Sequence, residues 1–394
     1  MNILYTITSY LPAIGGAQVH SHELIKRLLS NNQIRVISQW DTFRNDWLIG
    51  TTLKAPSKDR DYQIEGVNVH RLSLSSQDKV RIFPYVISYY LTMHQSINII
   101  SDLLVRKIDI YATNTDLIHN CRMGREGLSF ASLKLARKRN IPFVFTSIHH
   151  PRWIGWRYKK YHNLYKKADA VIASSEGEKE TLSHLGVNED KIFVIERGPV
   201  LFPKHQKGIF GKKHNIRGQM VLFLGQKYRY KGVEEILKAA RIVWKKNSEV
   251  SFVFIGPRTK YSQRLFSKRH DPRIVELGTV NLEDKTNALA DCDVFCLPST
   301  QESFGGVYTE AWMLEKPVIG CNIPSVKSVI TNGHDGILVD QNFKEIADSL
   351  LYLLEDKSTG IKMGQEGKKK VLAKYTWEKI AQKTEDVYKQ VLKG

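Results

Sequence analysis

Apolar residues along the chain fall into two alternating forms. Short unbroken runs occupy residues 2–8, 33–39, 67–72, 142–148, 168–175, 192–196, 220–225, 251–256, 274–278, 294–297, 318–320 and 337–339. Runs of that length without polar alternation are the mark of strands buried on both faces. Between them the apolar positions fall three and four apart, as at Val19, Leu24, Ile25, Leu28 and Leu29. That spacing predicts helices over 17–30, 83–105, 129–139, 233–246, 306–314 and 376–392. A further strand is predicted at 108–112, a loop over 41–60 and a basic linker over 202–217. Strand followed by helix, repeated, is the pattern of a parallel sheet covered on both faces.

The length of 394 residues allows two large domains, and the order of elements restarts near residue 220. We expect an N-terminal domain over 1–200, a second over 201–375, and a last helix, 376–394, with Thr376 as its N-cap. A hydrophobic content of 42% with 25% charged residues is that of a soluble globular chain. The net charge of +19 changes the picture, because it favours anionic partners: nucleotides, nucleic acid or anionic lipid. It comes from 27 basic against 18 acidic residues in 1–200 and 32 against 22 in the rest, so it is not one basic tail. Cys121, Cys292, Cys296 and Cys321 form no paired framework and read as reduced cysteines, which suits a cytoplasmic protein. The first residues enter a strand directly, so no signal peptide is expected. No apolar run reaches the roughly 18 residues of a membrane span.

Chemistry concentrates in 291–321, a strand, a loop, a helix and a strand. Ligands of open parallel sheets bind beyond the carboxyl ends of the strands, where the loop 299–305 lies. The N–H groups of Gly305, Gly306 and Val307 would face a ligand from the helix start, an arrangement that favours phosphate. Glu302 in the loop and Glu310 inside the helix can each accept two hydroxyl hydrogen bonds, so they suit two diols of one ligand. The loop 10–16 before the first helix also ends in glycines. Gly15 and Gly16 either approach a phosphate or sugar or serve a turn that needs positive φ. Lys227, Arg229 and Lys231, at a strand end before a helix, suit a diphosphate. His149 and His150 end a strand, where one can meet a sugar hydroxyl, or the two are a loop pair or an incidental metal site. Asp291-Cys292-Asp293 formally matches a metal-binding D-x-D, but it precedes a buried strand and reads as structural. Arg152-Trp153-Ile154-Gly155-Trp156-Arg157-Tyr158-Lys159-Lys160 interleaves aromatics with cations, for stacking on a sugar or base or as a solvated helix face. The helix 83–105, with Tyr85, Tyr89, Tyr90 and Leu91, reads as packed on the core. The other reading is a helix lying on a membrane surface.

Glu302 to Glu310 forms an E-x7-E pattern. With Leu297-Pro298-Ser299 before it and Glu302-Ser303-Phe304-Gly305-Gly306 opening it, the segment resembles glycosyltransferase family 4. The resemblance covers nearly the whole chain and is densest over 220–340. It implies the GT-B fold, α/β, two doubly wound Rossmann-like domains facing across a cleft. It implies transfer of a hexose, with retention, from a nucleotide-diphosphate sugar to a hydroxyl acceptor. A UDP-sugar such as UDP-glucose is the favoured donor, and surface polysaccharide or glycolipid synthesis the setting.

The resemblance also assigns roles. Glu302, Lys231, Lys227 and His149 would be catalytic. Gly15, Gly16, Gln226, Arg229, Val280, Ser303, Phe304, Gly305, Gly306, Val307 and Glu310 would bind the donor. Gln18 and His20 would face the acceptor. Lys231 matches the family's phosphate lysine. Gln226 stands where the family has arginine, so Lys227 or Arg229 would supply the second cation. Thr279-Val280-Asn281 would edge the base, and the last helix would cross back to the first domain. No metal and no cofactor are expected. The expected partners are the nucleotide sugar, a carbohydrate or lipid-linked sugar acceptor and, peripherally, the anionic inner face of the membrane. Other GT-B chemistry such as nucleotide-sugar epimerisation is the alternative, with nucleic-acid binding, prompted only by charge, behind it.

Overall fold

The computed structural model describes residues 1–42, 47–121, 127–149, 153, 155–268 and 271–393. They form two compact units, Met1–Glu196 joined by Trp377 onward (unit 1) and Arg197–Thr376 (unit 2). In unit 1 the strands are β1 (Asn2–Ile7), β2 (Gln33–Ser38), β3 (Arg60–Ile64), β4 (Val67–Arg71), β5 (Leu117–Cys121), β6 (Phe143–Thr146), β7 (Ala170–Ala173) and β8 (Ile192–Val194). Among the described residues they make one sheet, ordered β3-β4-β2-β1-β5-β6-β7-β8, parallel except for β3. Unit 2 carries β9 (Met220–Leu224), β10 (Ser251–Ile255), β11 (Ile274–Leu277), β12 (Val294–Leu297), β13 (Val318–Cys321) and β14 (Ile337–Val339). These run parallel in the order β11-β10-β9-β12-β13-β14. The strand order reverses between β1 and β5 in one sheet and between β9 and β12 in the other. At such switch points the loops leaving the strand ends part to opposite faces and open a crevice for ligands.

The apolar runs became strands because both faces are covered: β9, β10, β12 and β13 are buried throughout. Four sequence expectations need correction. Residues 108–112 are not a strand. Ile108 ends the helix Met93–Ile108, where Ile97, Ile100, Leu104 and Ile108 are buried at helical spacing, and Asp109–Tyr111 is a single 3-10 turn. Ile110 points to solvent. The strand beside β1 is instead β5, whose buried His119 and Asn120 break its apolar run. The helix expected over 83–105 is two, Ser76–Ile87 and Met93–Ile108. Between them Ser88 Oγ turns back to Pro84 O at 2.8 Å and Thr92 Oγ1 to Ser88 O at 3.2 Å, hydroxyls competing with the helical backbone. The loop expected over 41–60 contains the short helix Leu48–Thr51 and reaches β3. The linker expected over 202–217 is part of unit 2. It includes the helix Ile209–Lys213, buries Phe210 completely and donates Gly208 and Gly211 N–H groups to the Asp291 carboxylate. Asp293 likewise accepts from Met220 N at 2.7 Å.

The final helix, Trp377–Lys393, packs on unit 1. Glu385 accepts from Asn32 Nδ2 at 2.8 Å, Lys383 donates to Glu196 at 2.7 Å, and Arg27 lies over the Trp377 ring. Its deepest tie is Tyr388, whose hydroxyl meets His119 Nδ1 at 2.5 Å, while His119 Nε2 meets Thr146 Oγ1 at 2.7 Å. One imidazole thus joins β5, β6 and the last helix. Burial pushes His119 from the usual 6.5 down to about 3, so the native protein keeps it neutral.

Between those values the unfolded chain binds the proton and the native one does not. Stability is therefore full above about pH 6.5 and is lost below it by up to about 1.4 kcal/mol per pH unit. Urea midpoints at pH 7 and pH 5 should fall less steeply with acid in His119→Gln than in the parent. Equal slopes in the two proteins would remove His119 as the source.

Candidate functional site

In unit 2 the site is built where β9 and β12 part. The loop after β9 ends in the 3-10 turn Arg229–Lys231 and Gly232, and the loop after β12 runs to Gly305. Three contacts pin the two loops together. Thr300 N donates to Tyr230 O at 3.0 Å, and Gln341 Nε2 donates both to Tyr230 O at 2.8 Å and to Pro298 O at 2.7 Å. The approach requires glycine at 232: its φ is +77°, and a Cβ would lie 2.7 Å from Pro298 Cγ and 2.8 Å from Pro298 O. Lys231 is thereby brought to Glu302, and Nζ donates to Oε1 in a largely buried ion pair. From the other side Ser325 Oγ donates to Glu302 O at 2.7 Å.

The helix Gly306–Met313 starts from Gly305, which has φ +82° and lies against the Tyr308 ring. The first-turn N–H groups of such a helix have no acceptor within it and carry its positive end. Tyr308 donates its hydroxyl to Leu297 O at 2.7 Å, which ties this helix to the end of β12. Glu310 is buried on it. Its Oε1 accepts from Lys285 Nζ at 2.8 Å, and its Oε2 is buried with no hydrogen-bond partner among the described residues. An orphaned buried carboxylate oxygen costs free energy unless a donor arrives, and a ligand hydroxyl is such a donor.

Not every expected residue is at this place. Lys227 must be corrected as a candidate phosphate ligand. It is fully buried, and its ammonium donates to Gly256 O at 2.7 Å, to Glu276 Oε1 at 2.5 Å and to Leu277 O. Its three protons are spent on tying β9, β10 and β11 together at their ends, and burial holds its pKa below the usual lysine value. Arg229 is exposed on the same turn as Lys231 and is the more accessible cation of the pair of candidates. Gln226 is half-buried just past β9. Val280 follows the edge strand β11, two strands from β9, and packs partly against the core. Phe304 turns its ring to Tyr375 at 5.4 Å, so only its backbone is left for a ligand, and Ser303 beside it is buried. Val307 is half-buried in the first turn of the helix.

In unit 1 the loop after β1 leads to the helix Gly16–Leu28. Gly15 has an extended backbone, φ −169°, and a Cβ on Gly16 would meet no atom within 4 Å. Neither backbone needs the left-handed region and packing does not demand glycine at 16, which removes the positive-φ reading of the pair. Gln18, two residues on, is completely buried, and both its Oε1 and its Nε2 lack a partner among the described residues. His20 is buried against the Trp377 ring, centroids 5.4 Å apart. His149 is buried after β6, and its Nδ1 lies 3.3 Å from Tyr165 Oη. The residue before it, Ile148, has φ +43°, a strained conformation for a β-branched side chain. The carboxylate of Glu178 holds that bend, accepting from Ser147 Oγ at 2.7 Å, His149 N at 2.5 Å and Ser174 N at 2.7 Å. His150, Arg152 and Ile154 lie outside the described residues. Glu178, Lys285 and Gln341 escaped the sequence reading. Only Glu178 has a local signal, three residues after Ser175, a helix-start spacing that says nothing of its second task.

The described residues contain no group of three or more His, Cys, Asp or Glu able to hold a metal ion. The arrangement in unit 2 offers a cation and helix N–H groups for an anion and two carboxylates for hydroxyls.

Gly232→Ala tests the approach of the two loops. Gly333 has nearly the same φ, +76°, but a Cβ there would meet nothing within 4 Å. Gly333→Ala should cost about 1 kcal/mol of backbone strain, and Gly232→Ala roughly 1–3 kcal/mol more from overlap with Pro298. Urea unfolding of both variants measures the difference, and equal losses would mean that the contact with Pro298 is not tight.

Two family models match the chain: Glycosyltransferase Family 4 over residues 14–199 and Glycosyl transferases group 1 over 206–370. A capsular polysaccharide biosynthesis glycosyltransferase of Staphylococcus aureus, CapM, is 26% identical over 84% of this chain and 91% of its own. An N,N'-diacetylbacillosaminyl-diphospho-undecaprenol alpha-1,3-N-acetylgalactosaminyltransferase of Campylobacter jejuni is 27% identical over 59% of this chain and 64% of its own. Among solved structures HepE of Anabaena, determined with UDP-glucose, has the same fold, with a TM-score of 0.76 at 17% identity over 99% of this chain and 100% of its own. The two Rossmann-like units are those of the GT-B fold, and with both family models matched in sequence order the chain belongs to the family 4 glycosyltransferases.

Proposed function

We propose that this glycosyltransferase moves a hexose from a UDP-sugar, UDP-glucose in the first instance, to a saccharide or lipid-linked saccharide hydroxyl, with retention of anomeric configuration. The observation that carries the reading is the set in unit 2: the Lys231–Glu302 pair beside the start of the helix Gly306–Met313, with Glu310 Oε2 buried and unpartnered on that helix. A nucleotide-diphosphate sugar supplies a group for each. The diphosphate suits Lys231, Arg229 and the N–H groups of Gly305, Gly306 and Val307. The sugar hydroxyls suit Glu302, and the ribose diol suits Glu310 and relieves its orphaned oxygen.

The barrier in such a transfer is the negative charge that builds on the departing diphosphate. Lys231 and the positive helix end stabilise that charge from fixed positions, and no metal-dependent step is required. The Lys231 ammonium carries three protons and the bond to Glu302 takes one, so it can hold Glu302 and a phosphate oxygen together while Glu302 keeps its second oxygen for the sugar. On the acceptor side, the amide of Gln18 has the orphaned donors and acceptor that a sugar hydroxyl would satisfy, with His20 beside it on the helix.

The UDP-glucose bound to HepE supports a uracil donor. The names of CapM and of the Campylobacter enzyme support a surface polysaccharide or an undecaprenyl-linked sugar as product. An enzyme acting on such acceptors would work in the cytoplasm, at the inner face of the membrane.

Saturation-transfer NMR with a panel of UDP- and GDP-sugars tests the donor. Saturation of the ribose and sugar protons of one UDP-sugar, unchanged by EDTA, is expected, and preference for a GDP-sugar or dependence on a metal would overturn that part. Proton NMR of the product's anomeric signal then checks retention, while an epimer formed from donor alone would replace transfer by epimerisation. Lys231→Ala should lower kcat by about 100-fold or more, the usual effect of removing one donor to a developing anion, while the protein still folds and melts cooperatively. Turnover near the parent's would remove its phosphate role. Gln18→Ala should raise the acceptor KM and leave the donor KM alone; the reverse pattern would move Gln18 out of the acceptor site.

A further inference from the structure

The helix Leu282–Asp291 carries a lysine where a helix has least use for one. Its cap is Asn281, whose side chain accepts from Asp284 N at 2.7 Å, and Glu283 and Asp284 stand in its first turn. All three suit the positive end of a helix. Lys285 follows them directly, and there its charge opposes the helix dipole. The helix itself gives no reason for that ammonium.

Two acceptors do. Lys285 Nζ donates to Glu310 Oε1 at 2.8 Å and to Val200 O at 2.8 Å. Val200 lies in the segment by which the chain enters unit 2. Other side chains of the same helix already hold that segment. Phe202 N donates to Thr286 Oγ1 at 2.9 Å, Gln206 N to Asn287 Oδ1 at 2.9 Å, and the Gly208 and Gly211 N–H groups to Asp291. The segment also runs beside the helix Gly306–Met313, since a Cβ on Gly306 would lie 3.9 Å from Arg197 Cβ. Val200 O is thus a fixed anchor for Lys285, and the segment does not depend on Lys285 to stay in place.

What Lys285 adds is the orientation of the Glu310 carboxylate. The last torsion of a glutamate is soft, so a carboxylate held by nothing swings over a wide range. A bond from an anchored ammonium to Oε1 stops that rotation and sets the direction of Oε2. Glu310 is 8% exposed, and its Oε2 is buried with no hydrogen-bond partner among the described residues. A buried carboxylate also needs an opposite charge, which the same ion pair provides.

We propose that Lys285 is the positioning residue that makes Glu310 selective for a ribose diol. It occupies one carboxylate oxygen and aims the other at the hydroxyls, and it touches no reacting atom. The inference rests on the reading of Glu310 as the ribose carboxylate and names the residue from which that selectivity comes.

Calorimetric dissociation constants of UDP-glucose and of 2′,3′-dideoxy-UDP-glucose, measured on the full-length protein, give a ratio that reports the diol. In the parent UDP-glucose should bind about tenfold or more tightly, the usual weight of a hydrogen bond to a charged group. In Lys285→Met the ratio should fall to near unity, because UDP-glucose loses affinity and the dideoxy donor does not. Lys285→Arg, which can donate to both acceptors, should keep most of the ratio. The donor KM of Lys285→Met should rise by more than kcat falls. Melting of Lys285→Met should come earlier, since a buried carboxylate loses its partner. A merely structural lysine, however, would weaken both nucleotides alike. A parent-like ratio in Lys285→Met would therefore overturn the proposal. If Lys285→Met does not fold, Lys285→Gln, whose shorter stem cannot span both acceptors, is read by the same ratio. Equal affinities for the two nucleotides in the parent would overturn the ribose reading of Glu310, and the proposal with it. Should the donor panel select a GDP-sugar, the corresponding guanosine pair serves, because the ratio does not involve the base.

Discussion

The distance between two loops governs the candidate donor site. In an all-parallel sheet the strands β9 and β12 end at the same edge, but their following loops diverge, and nothing in the sheet itself brings Lys231 to Glu302. The missing Cβ at Gly232 allows the approach, and Gln341 maintains it by donating to one carbonyl in each loop. The Gln341 side chain comes from beyond β14, on the far side of β12 and β13, so the placement of a cation near residue 230 depends on a residue more than a hundred positions later. The ends of β9, β10 and β11 meet a similar demand with Lys227, a buried cation whose three protons satisfy two carbonyls and a carboxylate. Two lysines four residues apart thus do different things: one holds the ends of three strands, and the other pairs with Glu302 across the two loops.

That division explains what could be read from the sequence and what could not. The strand, glycine turn and helix around Glu302 and Glu310 were legible because their signals are local: an unbroken apolar run, a Gly-Gly pair and a helix start all lie within twenty residues. The difference between Lys227 and Lys231 was not, because it is set by Gly256, Glu276 and Leu277, which reach Lys227 only through the sheet. β5 was hidden for the same reason. His119 and Asn120 look like surface residues until Thr146, Tyr388 and Thr6 are in place to bond them. Phe210 was lost among lysines and glycines, since a single aromatic has no period from which to infer burial.

Unit 1 uses burial differently. Where unit 2 satisfies most of its buried polar groups, the start of the helix Gly16–Leu28 leaves the Gln18 amide unsatisfied beside a glycine that the backbone does not need. Near His149 the cost is in backbone strain at Ile148, held by three donors on the Glu178 carboxylate. Unsatisfied groups and strain are what a fold optimised only for stability would lose first. Both lie in segments that follow strands, β1 beside the switch point and β6 one strand beyond β5, rather than in the sheet itself.

The return of the last helix to unit 1 has a consequence for how the protein is made. Unit 2 is continuous in sequence, from Arg197 to Thr376, while unit 1 lacks the partner of His119 until Tyr388 has been synthesised. During translation the second unit can close before the first is finished. Meanwhile the first unit must wait with His119, Asn32 and the face of the helix Gly16–Leu28 that receives Trp377 still uncovered. A chain cut short between Thr376 and Tyr388 would therefore have its later-made unit complete and its earlier-made unit not.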